Sequence, residues 1–524
     1  VAGNITTGCV TAISGTYTID PMLPTGGTNF ASFTDVATEL NNCGVSGPVV
    51  FNIAAGTYTE TLSLGEMLGV SATNTVTFNG GNSDDVILTY SSTTDTATIF
   101  LNGSDYITFK NMTIANTGTV DAWGVLLTNL ADFVTIDSCV IDMPYTSTTD
   151  VVGIVSTASI SSATTAGNNA NYLTISNNLI KGGDIGVRLT GGTTSITADT
   201  GNVITNNIFR GQDDHAIDID GEANFIISYN DIDSLLNASG DAIYLVDVDD
   251  FEVYNNTIVS PDYGLYINDA NDGIGTLQRT KVYNNMVVTT GTYGIYLNDI
   301  EEVDAFHNSV TGNPAFSIND QNNVDIRNNI MFSYNDHAFY SFDALGTGDV
   351  IDYNVYYSGT AIPFDIGPDD FTSLADWITD DPSQNANSAY EEPVFLSAND
   401  LHVLNSAAAD NTADISVGVT LDIDGEVRSV TTPDIGADEF VSISGDLAIV
   451  NVEFNRNDPC LTNMDTISVY VKRSIGALDL SVTPISVSYT VNGPVNSSGT
   501  LTANTGTLTQ GDTIELQAYN VDLS

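Results

Sequence analysis

Apolar and polar residues alternate along most of the chain, and the pattern is clearest between residues 253 and 299. The phrase V-Y-N-N-T-I at residues 253–258 is followed by Y-G-L-Y-I-N-D at 263–269. The pair returns as V-Y-N-N-M-V at 282–287 and Y-G-I-Y-L-N-D at 293–299. Alternation with a period of two is typical of a β-strand that buries one face. We therefore expect these phrases to be strands of an internal repeat.

The first phrase recurs from about residue 76 to residue 357, and each regular copy carries an asparagine at its second polar position. Successive asparagines of this column lie 21 to 29 residues apart. Two earlier copies, beginning at Ile107 and Val134, are less regular, and the second places Cys139 in the column. The column itself consists of Asn178, Asn207, Asn230, Asn256, Asn285, Asn308, Asn329 and Asn354.

A repeat of this length suits two kinds of solenoid, a leucine-rich repeat or a parallel β-helix. The segments between the asparagine phrases are rich in Gly, Asp, Asn and Thr, whereas a leucine-rich repeat would have a Leu-rich return. We therefore predict a parallel β-helix with two or three short strands per turn. Its asparagines would stack at bends about 4.8 Å apart, where their amides bond one another and the backbone. This structural role, rather than catalysis, is expected for the column.

The segments outside the repeat predict two helices and an added module in an otherwise all-β chain. Residues 31–40 have apolar positions at helical spacing, which predicts an amphipathic helix that caps the first coil. A second helix is predicted at 371–379. Strong alternation after residue 446 predicts an immunoglobulin-like β-sandwich. The predicted domains are a capping segment at 1–60, β-helix repeats at 61–360, a closing segment at 361–441 and an incomplete sandwich at 442–524.

The composition is strongly acidic, with 66 Asp and Glu against 11 Lys and Arg, and a net charge of −55. Such a surface repels nucleic acid and anionic membranes, which are bound through clustered Lys and Arg. The charge either keeps the chain soluble in salty surroundings or binds divalent cations, because packed carboxylates gain most from a hard cation. Calcium is the one cofactor that the sequence suggests, and its candidate ligands are Asp218, Asp220, Asp422 and Asp424.

Asp422 could instead pair with Arg428, because both lie in one short motif. Cys9 and Cys43 flank the first predicted unit and could form a disulfide in an oxidising compartment. The sequence contains no pattern of a transmembrane helix or of a signal peptide. We expect the chain to be a mature or trimmed piece of a longer protein.

The asparagine-laddered repeat resembles the right-handed parallel β-helix of the pectin-lyase-like superfamily. The motifs D-I-D-G-E-V-R at 422–428 and P-D-I-G-A-D-E-F at 433–440 resemble the ends of β-helix regions in large secreted and surface proteins of Bacteroidota. That resemblance implies an extracellular protein exported by type IX secretion, with immunoglobulin-like modules. It implies no particular activity, because the superfamily contains lyases, hydrolases, epimerases, adhesins and passive stalks.

An enzyme of this superfamily would need a base beside Asp-bound calcium, or paired carboxylates. The best match is R-G-Q-D-D-H-A-I-D-I-D-G at 210–221, whose Q-D-D resembles the paired-Asp motif of polygalacturonase-like glycosidases. The accompanying N-T-D, G-H-G and R-I-K motifs are absent, and residues 215–220 align with the ordinary repeat positions 263–268. If the chain were an enzyme, its catalytic residues would be Arg210, Asp213, Asp214, His215 and Asp218.

Aligning the second phrase of each repeat predicts a column of outward-facing side chains. Three successive tyrosines in this column either stabilise the sheet as an aromatic ladder or stack against a sugar or a protein surface. The column consists of Arg188, Asp218, Tyr244, Tyr266, Tyr296, Ser317 and Tyr340. The binding candidates are Tyr244, Tyr266, Tyr296, Asn268 and Asn298.

These patterns favour a non-enzymatic, extracellular structural or adhesive segment of a large bacterial surface protein. The expected partner is a glycan or protein surface of another cell or of a matrix, and self-association into a surface appendage is a further hypothesis. The alternative is a polysaccharide lyase or glycoside hydrolase that acts in an outer groove near residues 210–220. We expect no nucleic-acid partner and no direct insertion into a membrane.

Overall fold

A computed structural model describes most of the chain and divides it into two compact units. The first unit contains Val1–His402 and Ala408–Phe440, and the second contains Val403–Ala407 and Val441–Ser524. The described residues are 11–91, 96–145, 150–192, 198–271, 279–346, 348–441, 447–455, 465–473, 478–481, 484–491, 497–509 and 512–521.

The first unit is a parallel β-helix in which each regular coil adds one strand to each of three long sheets. The first sheet contains Asn29–Phe30, Ile13–Ile19, Val45–Ile53, Val76–Asn79, Ile107–Lys110, Thr135–Asp137, Thr174–Ser176, Val203–Thr205, Ile226–Ser228, Glu252–Tyr254, Thr280–Tyr283, Val303–Phe306, Asp325–Arg327 and Val350–Asp352. The second contains Gly56–Thr59, Val86–Tyr90, Thr113–Asn116, Val140–Asp142, Leu179–Lys181, Ile208–Arg210, Asp231–Asp233, Thr257–Ser260, Met286–Thr289, Ser309–Thr311, Ile330–Ser333, Val355–Ser358 and Ala389–Tyr390.

The third sheet completes each coil and carries the second sequence phrase. It contains Leu62–Leu64, Thr96–Asn102, Ala122–Thr128, Val152–Ser156, Ile185–Thr190, His215–Asp220, Asp241–Val248, Leu265–Ala270, Ile295–Glu301, Phe316–Asn322, Phe339–Ser341, Phe364–Ile366 and Asp369–Phe371. Smaller strands are Asp199–Thr200, Glu222–Ala223, Val394–Ser397 and Asp400–Asn405, and Ile415–Val417 forms a 3-10 turn. The predicted all-β solenoid is confirmed, with three strands per regular coil.

The bend between the first and second sheets explains the recurring Asn-Asn pair. The first residue of each bend has a left-handed backbone, with φ of 53° at Asn255 and at Asn284, and asparagine tolerates this conformation better than most residues. The second residue points inward. For example, the Asn256 Nδ2 donates to Asn285 Oδ1 at 3.0 Å and to the backbone oxygen of Ile227 at 3.0 Å.

The same contacts repeat from coil to coil. Each amide from Asn178 to Asn329 donates to the Oδ1 of the next asparagine in the predicted column, and Asn178 in turn accepts from the Cys139 backbone N–H. All eight asparagines are buried. An unpaired buried amide would cost about 1–3 kcal/mol, so each side chain depends on its neighbours in the ladder.

A helix lies at each end of the described β-helix. The first spans Phe33–Cys43, begins at the N-cap Ser32 and buries Phe33 against Tyr58 and Phe78. It starts two residues after the predicted helix and ends three residues later. It also contacts the first strands of two sheets, as expected of a cap.

The second helix spans Leu374–Asp380 and is shorter than predicted at its start, because Ser373 caps it and the strand Asp369–Phe371 precedes it. Its Trp377 packs against Phe339 and Phe364 of the last coils. This helix therefore covers apolar side chains that another coil would otherwise cover. Neither helix, within the described residues, is long and apolar enough to cross a membrane.

Residues 408–440 run along the outside of the bends rather than adding regular coils. The first Asn of several bends holds this closing segment: Asn255 Nδ2 donates to Asp422 O at 2.9 Å, and Asn284 Nδ2 donates to Leu421 O at 2.6 Å. Asn328 Nδ2 donates to Asp414 O at 2.9 Å. The first Asn of each pair thus has a second function, which the repeat pattern alone does not indicate.

The second unit is built from antiparallel strands around its own apolar core. Its described strands are Leu447–Asn455, Asp465–Arg473, Leu478–Asp479, Ile485–Val491, Ser497–Ala503, Thr507–Leu508 and Thr513–Val521. The core contains Ile467, Val469, Val471, Leu480, Ile485, Leu501, Leu508 and Leu516. The antiparallel arrangement agrees with the predicted sandwich, while the identification as immunoglobulin-like stays a prediction.

Candidate functional site

The outer face of the third sheet carries the predicted column of aligned side chains. The described pairing sets Arg188 beside Asp218, Asp218 beside Tyr244, and then each residue beside the next through Tyr266, Tyr296, Ser317 and Tyr340. Their strand neighbours, such as Ile217 and Leu265, are fully buried. The column has a charged end and an aromatic end, which differ in what they leave exposed.

The charged end is a network of ion pairs. Arg188 Nη2 lies 2.6 Å from Asp218 Oδ2, and its Nη1 lies 3.5 Å from Asp150. His215 Nδ1 lies 2.9 Å from Asp214, and its Nε2 lies 3.4 Å from Asp241. These contacts involve three of the five candidate catalytic residues, Asp214, His215 and Asp218.

The pKa of His215 reflects this network. Burial alone would lower its pKa, but hydrogen bonds to Asp214 and Asp241 and the nearby Asp218 outweigh burial and raise it to about 9. The raised pKa favours the protonated imidazolium at neutral pH, which disfavours a role as a base. Burial, with the charge of Asp218, raises the pKa of Asp220, and burial likewise raises that of Asp184 beside Asp214.

Of the candidate catalytic residues, Arg210 lies on a different sheet from His215 and Asp218. Arg210 belongs to the second sheet, where its Nη2 lies 2.5 Å from Asp231 and its Nη1 donates to backbone oxygens. Asp213 lies in the turn before the third-sheet strand, half-buried, and Asp218 is paired with Arg188. The candidate acids and His215 therefore lie in or just before one strand of the third sheet, whereas Arg210 lies on the second sheet.

The aromatic end is a layer of half-buried rings that runs along several coils. The ring centroids of Tyr244 and Tyr266 are 4.9 Å apart, and those of Tyr266 and Tyr296 are 5.4 Å apart. A parallel pair from the preceding loops, Tyr263 and Tyr293, stacks at 5.3 Å. We call the set Tyr244, Tyr263, Tyr266, Tyr293, Tyr296, Tyr340 and Phe342 the tyrosine platform.

Ser317 interrupts the column, and Phe342 fills the space above it. Ser317 is fully buried, while the Phe342 ring lies 5.7 Å from Tyr296 and 4.5 Å from Tyr340. The aromatic surface therefore continues past the small residue. The sequence column alone did not include Phe342, because this residue lies two positions beyond Tyr340.

The binding candidates Asn268 and Asn298 form a second, outer amide ladder. Asn298 Nδ2 donates to Asn268 Oδ1, and Asn298 Oδ1 accepts from Asn319 Nδ2 at 2.7 Å and from the Tyr296 hydroxyl at 3.1 Å. Both functional groups of the Asn298 amide are therefore used within the protein. The ladder contacts the tyrosine platform through the hydrogen bond between the Tyr296 hydroxyl and Asn298.

The calcium candidates lie in two places and have different partners. Asp218 is neutralised by Arg188, and Asp220 lies nearby on the same strand. The Asp422 carboxylate accepts three backbone N–H groups, from Asp424, Glu426 and Glu439. Its predicted pairing partner Arg428 instead donates to Gly436 O at 2.7 Å and to Asn284 Oδ1 at 3.0 Å.

Cys43 is disulfide-bonded, whereas its predicted partner Cys9 lies outside the described residues. Cys139, in the asparagine column, is a buried free thiol, and burial raises its pKa to about 12. It therefore behaves as an inert part of the core.

A further aromatic surface, on the first sheet, was missed by the sequence analysis. Tyr254 and Tyr283 stack with centroids 4.8 Å apart beside a cleft of about 360 Å³. Residues 417–421 of the closing segment form the opposite wall of the cleft. The repeated V-Y-N-N phrase carried the signal, because its tyrosine faces outward in two successive coils.

Comparison with known proteins supports the fold. A family model described as a right handed beta helix region matches residues 163–331. An alginate lyase from Paenibacillus sp. str. FPU-7 is 12% identical, with 59% of this chain and 95% of that chain covered and a TM-score of 0.32. The Dettilon tailspike protein is 12% identical, with 96% of this chain and 93% of that chain covered and a TM-score of 0.32. The pectate lyase Pel9A is 10% identical, with 82% and 98% covered and a TM-score of 0.32.

The repeat region is thus a parallel β-helix, and the family model identifies it as right-handed. None of the curated proteins compared with this chain matches it in sequence. The structural likenesses are too low in identity and TM-score to indicate an activity. Function has to be argued from the residues of the chain itself.

Proposed function

We propose that this chain is a non-enzymatic, extracellular segment of a bacterial surface protein that binds an uncharged glycan along the tyrosine platform. The observation that carries the proposal is the platform itself, in which rings on successive coils leave part of their surface to solvent. Sugar rings present apolar C–H faces that stack on aromatic rings, while tyrosine hydroxyls and amides reach the sugar hydroxyls. A linear glycan would lie along the axis of the β-helix.

The charge of the chain supports an uncharged ligand. The net charge of −55 disfavours polyanions such as uronic-acid polymers unless a cation neutralises them. Burial and neighbouring hydroxyls raise the pKa of Tyr263 to about 12, and burial raises the pKa values of Tyr244 and Tyr266. The hydroxyls of these rings therefore remain neutral hydrogen-bonding groups.

The ion pairs of the charged end support a role without catalysis. A lyase needs a basic residue to abstract a proton, and His215 is held as an imidazolium. An Asp218 bound to Arg188 is a poor nucleophile, because its charge is already neutralised. An extracellular location is supported by the disulfide of Cys43, since disulfides persist in oxidising compartments. Export by type IX secretion and self-association stay predictions.

The test is a binding and turnover screen of the intact chain against neutral and anionic oligosaccharides. We expect saturable binding of a neutral glycan, and we expect Tyr266→Ala to weaken it by about tenfold or more, which corresponds to about 1.4 kcal/mol. Tyr283→Ala is the matched control, because Tyr283 also stacks on a tyrosine of the next coil but lies on the first sheet. Asp214→Asn should leave binding unchanged.

Glycan cleavage that Asp214→Asn abolishes would contradict the proposal and support the polysaccharide lyase or glycoside hydrolase alternative. Equal binding by the parent chain and by Tyr266→Ala would remove the platform as the binding surface. A preference for anionic glycans would contradict the charge argument.

A further inference from the structure

A cluster of potential metal ligands lies in the closing segment, apart from the tyrosine platform. It consists of His402, Asp424 and Asp438, and one ligand atom from each lies within 4.8 Å of the other two. Asp438 is buried, His402 is half-buried and Asp424 is exposed. The three residues come from separate stretches of the chain, so an ion bound here would join them.

The histidine is oriented for metal binding. Its Nδ1 lies 2.5 Å from Asp400 Oδ1, while its Nε2 faces the cluster and lies 3.0 Å from Asp424 Oδ2. In many metal sites a carboxylate on one ring nitrogen fixes the tautomer and directs the other nitrogen to the ion. Asp400 occupies this supporting position, and it is not itself needed as a ligand.

The two aspartates are positioned by the backbone around them. The buried Asp422 accepts the N–H of Asp424 at 3.0 Å with one oxygen and the N–H of Glu439 at 3.1 Å with the other. The Ile423 N–H donates to Ala437 O at 2.9 Å. Asp438 lies between Ala437 and Glu439. These bonds therefore hold Asp424 and Asp438 next to each other before any ion binds.

We propose that His402, Asp424 and Asp438 bind one divalent ion of the zinc class, with solvent completing the coordination. One imidazole nitrogen and two carboxylate oxygens suit zinc, whereas calcium takes six to eight oxygen ligands. Two ligands on a tetrahedral ion with bonds of about 2.1 Å are about 3.4 Å apart. The Nε2 and the Asp424 oxygen, now in hydrogen-bonding contact at 3.0 Å, would move apart only slightly to reach that separation. The ion would fasten residues 424 and 438 to His402.

The test is calorimetric titration of the full, EDTA-treated chain with Zn²⁺ in the presence of excess Mg²⁺. Magnesium occupies weak carboxylate sites, which this acidic chain has in abundance. We expect one tight equivalent per chain, and His402→Ala should lower its affinity at least tenfold. His337→Ala is the matched control, because His337 is also half-buried and paired with an aspartate, Asp336, at 2.6 Å; this variant should bind as the parent does.

Melting temperatures measured in EDTA and in Zn²⁺ separate binding from a structural effect. The parent should melt higher in Zn²⁺, and His402→Ala should lose that rise while melting as the parent does in EDTA. If His402→Ala does not fold, the exposed Asp424→Asn replaces it, with the same expected loss of the equivalent. Equal Zn²⁺ binding by parent and variant, or only weak binding that Mg²⁺ displaces, would overturn the proposal.

Discussion

Asp218 and Tyr266 occupy equivalent positions two coils apart on the outer face of the third sheet, yet their surroundings differ. Asp218 is buried in an ion pair with Arg188, whereas Tyr266 stacks between two other tyrosines and keeps part of its ring in solvent. The backbone is the same in both places. What differs is whether the protein itself satisfies the outward side chain.

The comparison shows why a motif is a poor guide to function in a repeat fold. The charged end looks reactive in sequence, because Asp, Asp and His are adjacent, but His215 is paired with Asp214 and Asp241, and Asp218 is paired with Arg188. The aromatic end has no recognised motif, yet its rings offer apolar surface that no other part of the described chain covers. Function is expected where the side chains keep unused binding capacity.

The largest effect is expected from removing the cation of the charged end. Arg188→Ala would leave the buried Asp218 without its partner, and breaking a buried ion pair costs about 3–5 kcal/mol. Arg210→Ala is the control, because its pair with Asp231 is more exposed and is worth about 0–1 kcal/mol. Thermal unfolding of both variants checks the difference. Equal losses would show that the charged end is not a buried network.

A smaller effect is expected from titrating His215. Because its folded pKa is raised to about 9 from 6.5, its stabilisation is fully present below pH 6.5 and is lost as pH rises through 9. The shift corresponds to on the order of 3 kcal/mol. The melting temperature of the parent should therefore fall more than that of His215→Gln between about pH 6 and about pH 10, a range that spans the pKa shift. Parallel curves for the two proteins would contradict the ion pairing.

The smallest effect on stability is expected at the aromatic end. Tyr266→Leu removes three ring contacts, with Tyr244, Tyr263 and Tyr296. Because leucine keeps an apolar side chain in their place, the net loss should be about 0.5–1 kcal/mol. Tyr283→Leu on the first sheet should lower the melting temperature by a similar amount. Only Tyr266→Leu should also weaken glycan binding. A loss of several kcal/mol at Tyr266 would show that the platform is a structural ladder rather than a binding surface.

Much of the β-helix could be predicted because its determinants are local. Alternation defines which side chains face the core. The first position of the recurring bend favours Asn, which tolerates a left-handed backbone, although Tyr229 and His307 also adopt it. The second position carries the Asn that bonds to the next coil. The alignment of the repeats also placed Tyr244, Tyr266 and Tyr296 on adjacent strands. In parallel strands paired in register, positions that align in the sequence repeat become neighbours in the sheet.

Contacts between distant segments could not be predicted in this way. Nothing local in residues 408–440 indicates that Asn255, Asn284 and Asn328 hold them against the bends. Arg210 and Asp214 are close in sequence, but the chain turns between them, so Arg210 lies on the second sheet and Asp214 directly precedes a strand of the third. The grouping of His402 with Asp424 and Asp438 is likewise a result of the chain folding back.

The sequence by itself therefore determined the solenoid, its inner asparagine ladder and the outward column, because these depend on period and on neighbours in the repeat. Only the tertiary structure decided which outward groups are already paired, that Phe342 extends the tyrosine platform, and that the closing segment gathers a histidine and two aspartates. Pairing and burial depend on what packs against a side chain, and that partner is here often more than a hundred residues away, as for Asn255 and Asp422.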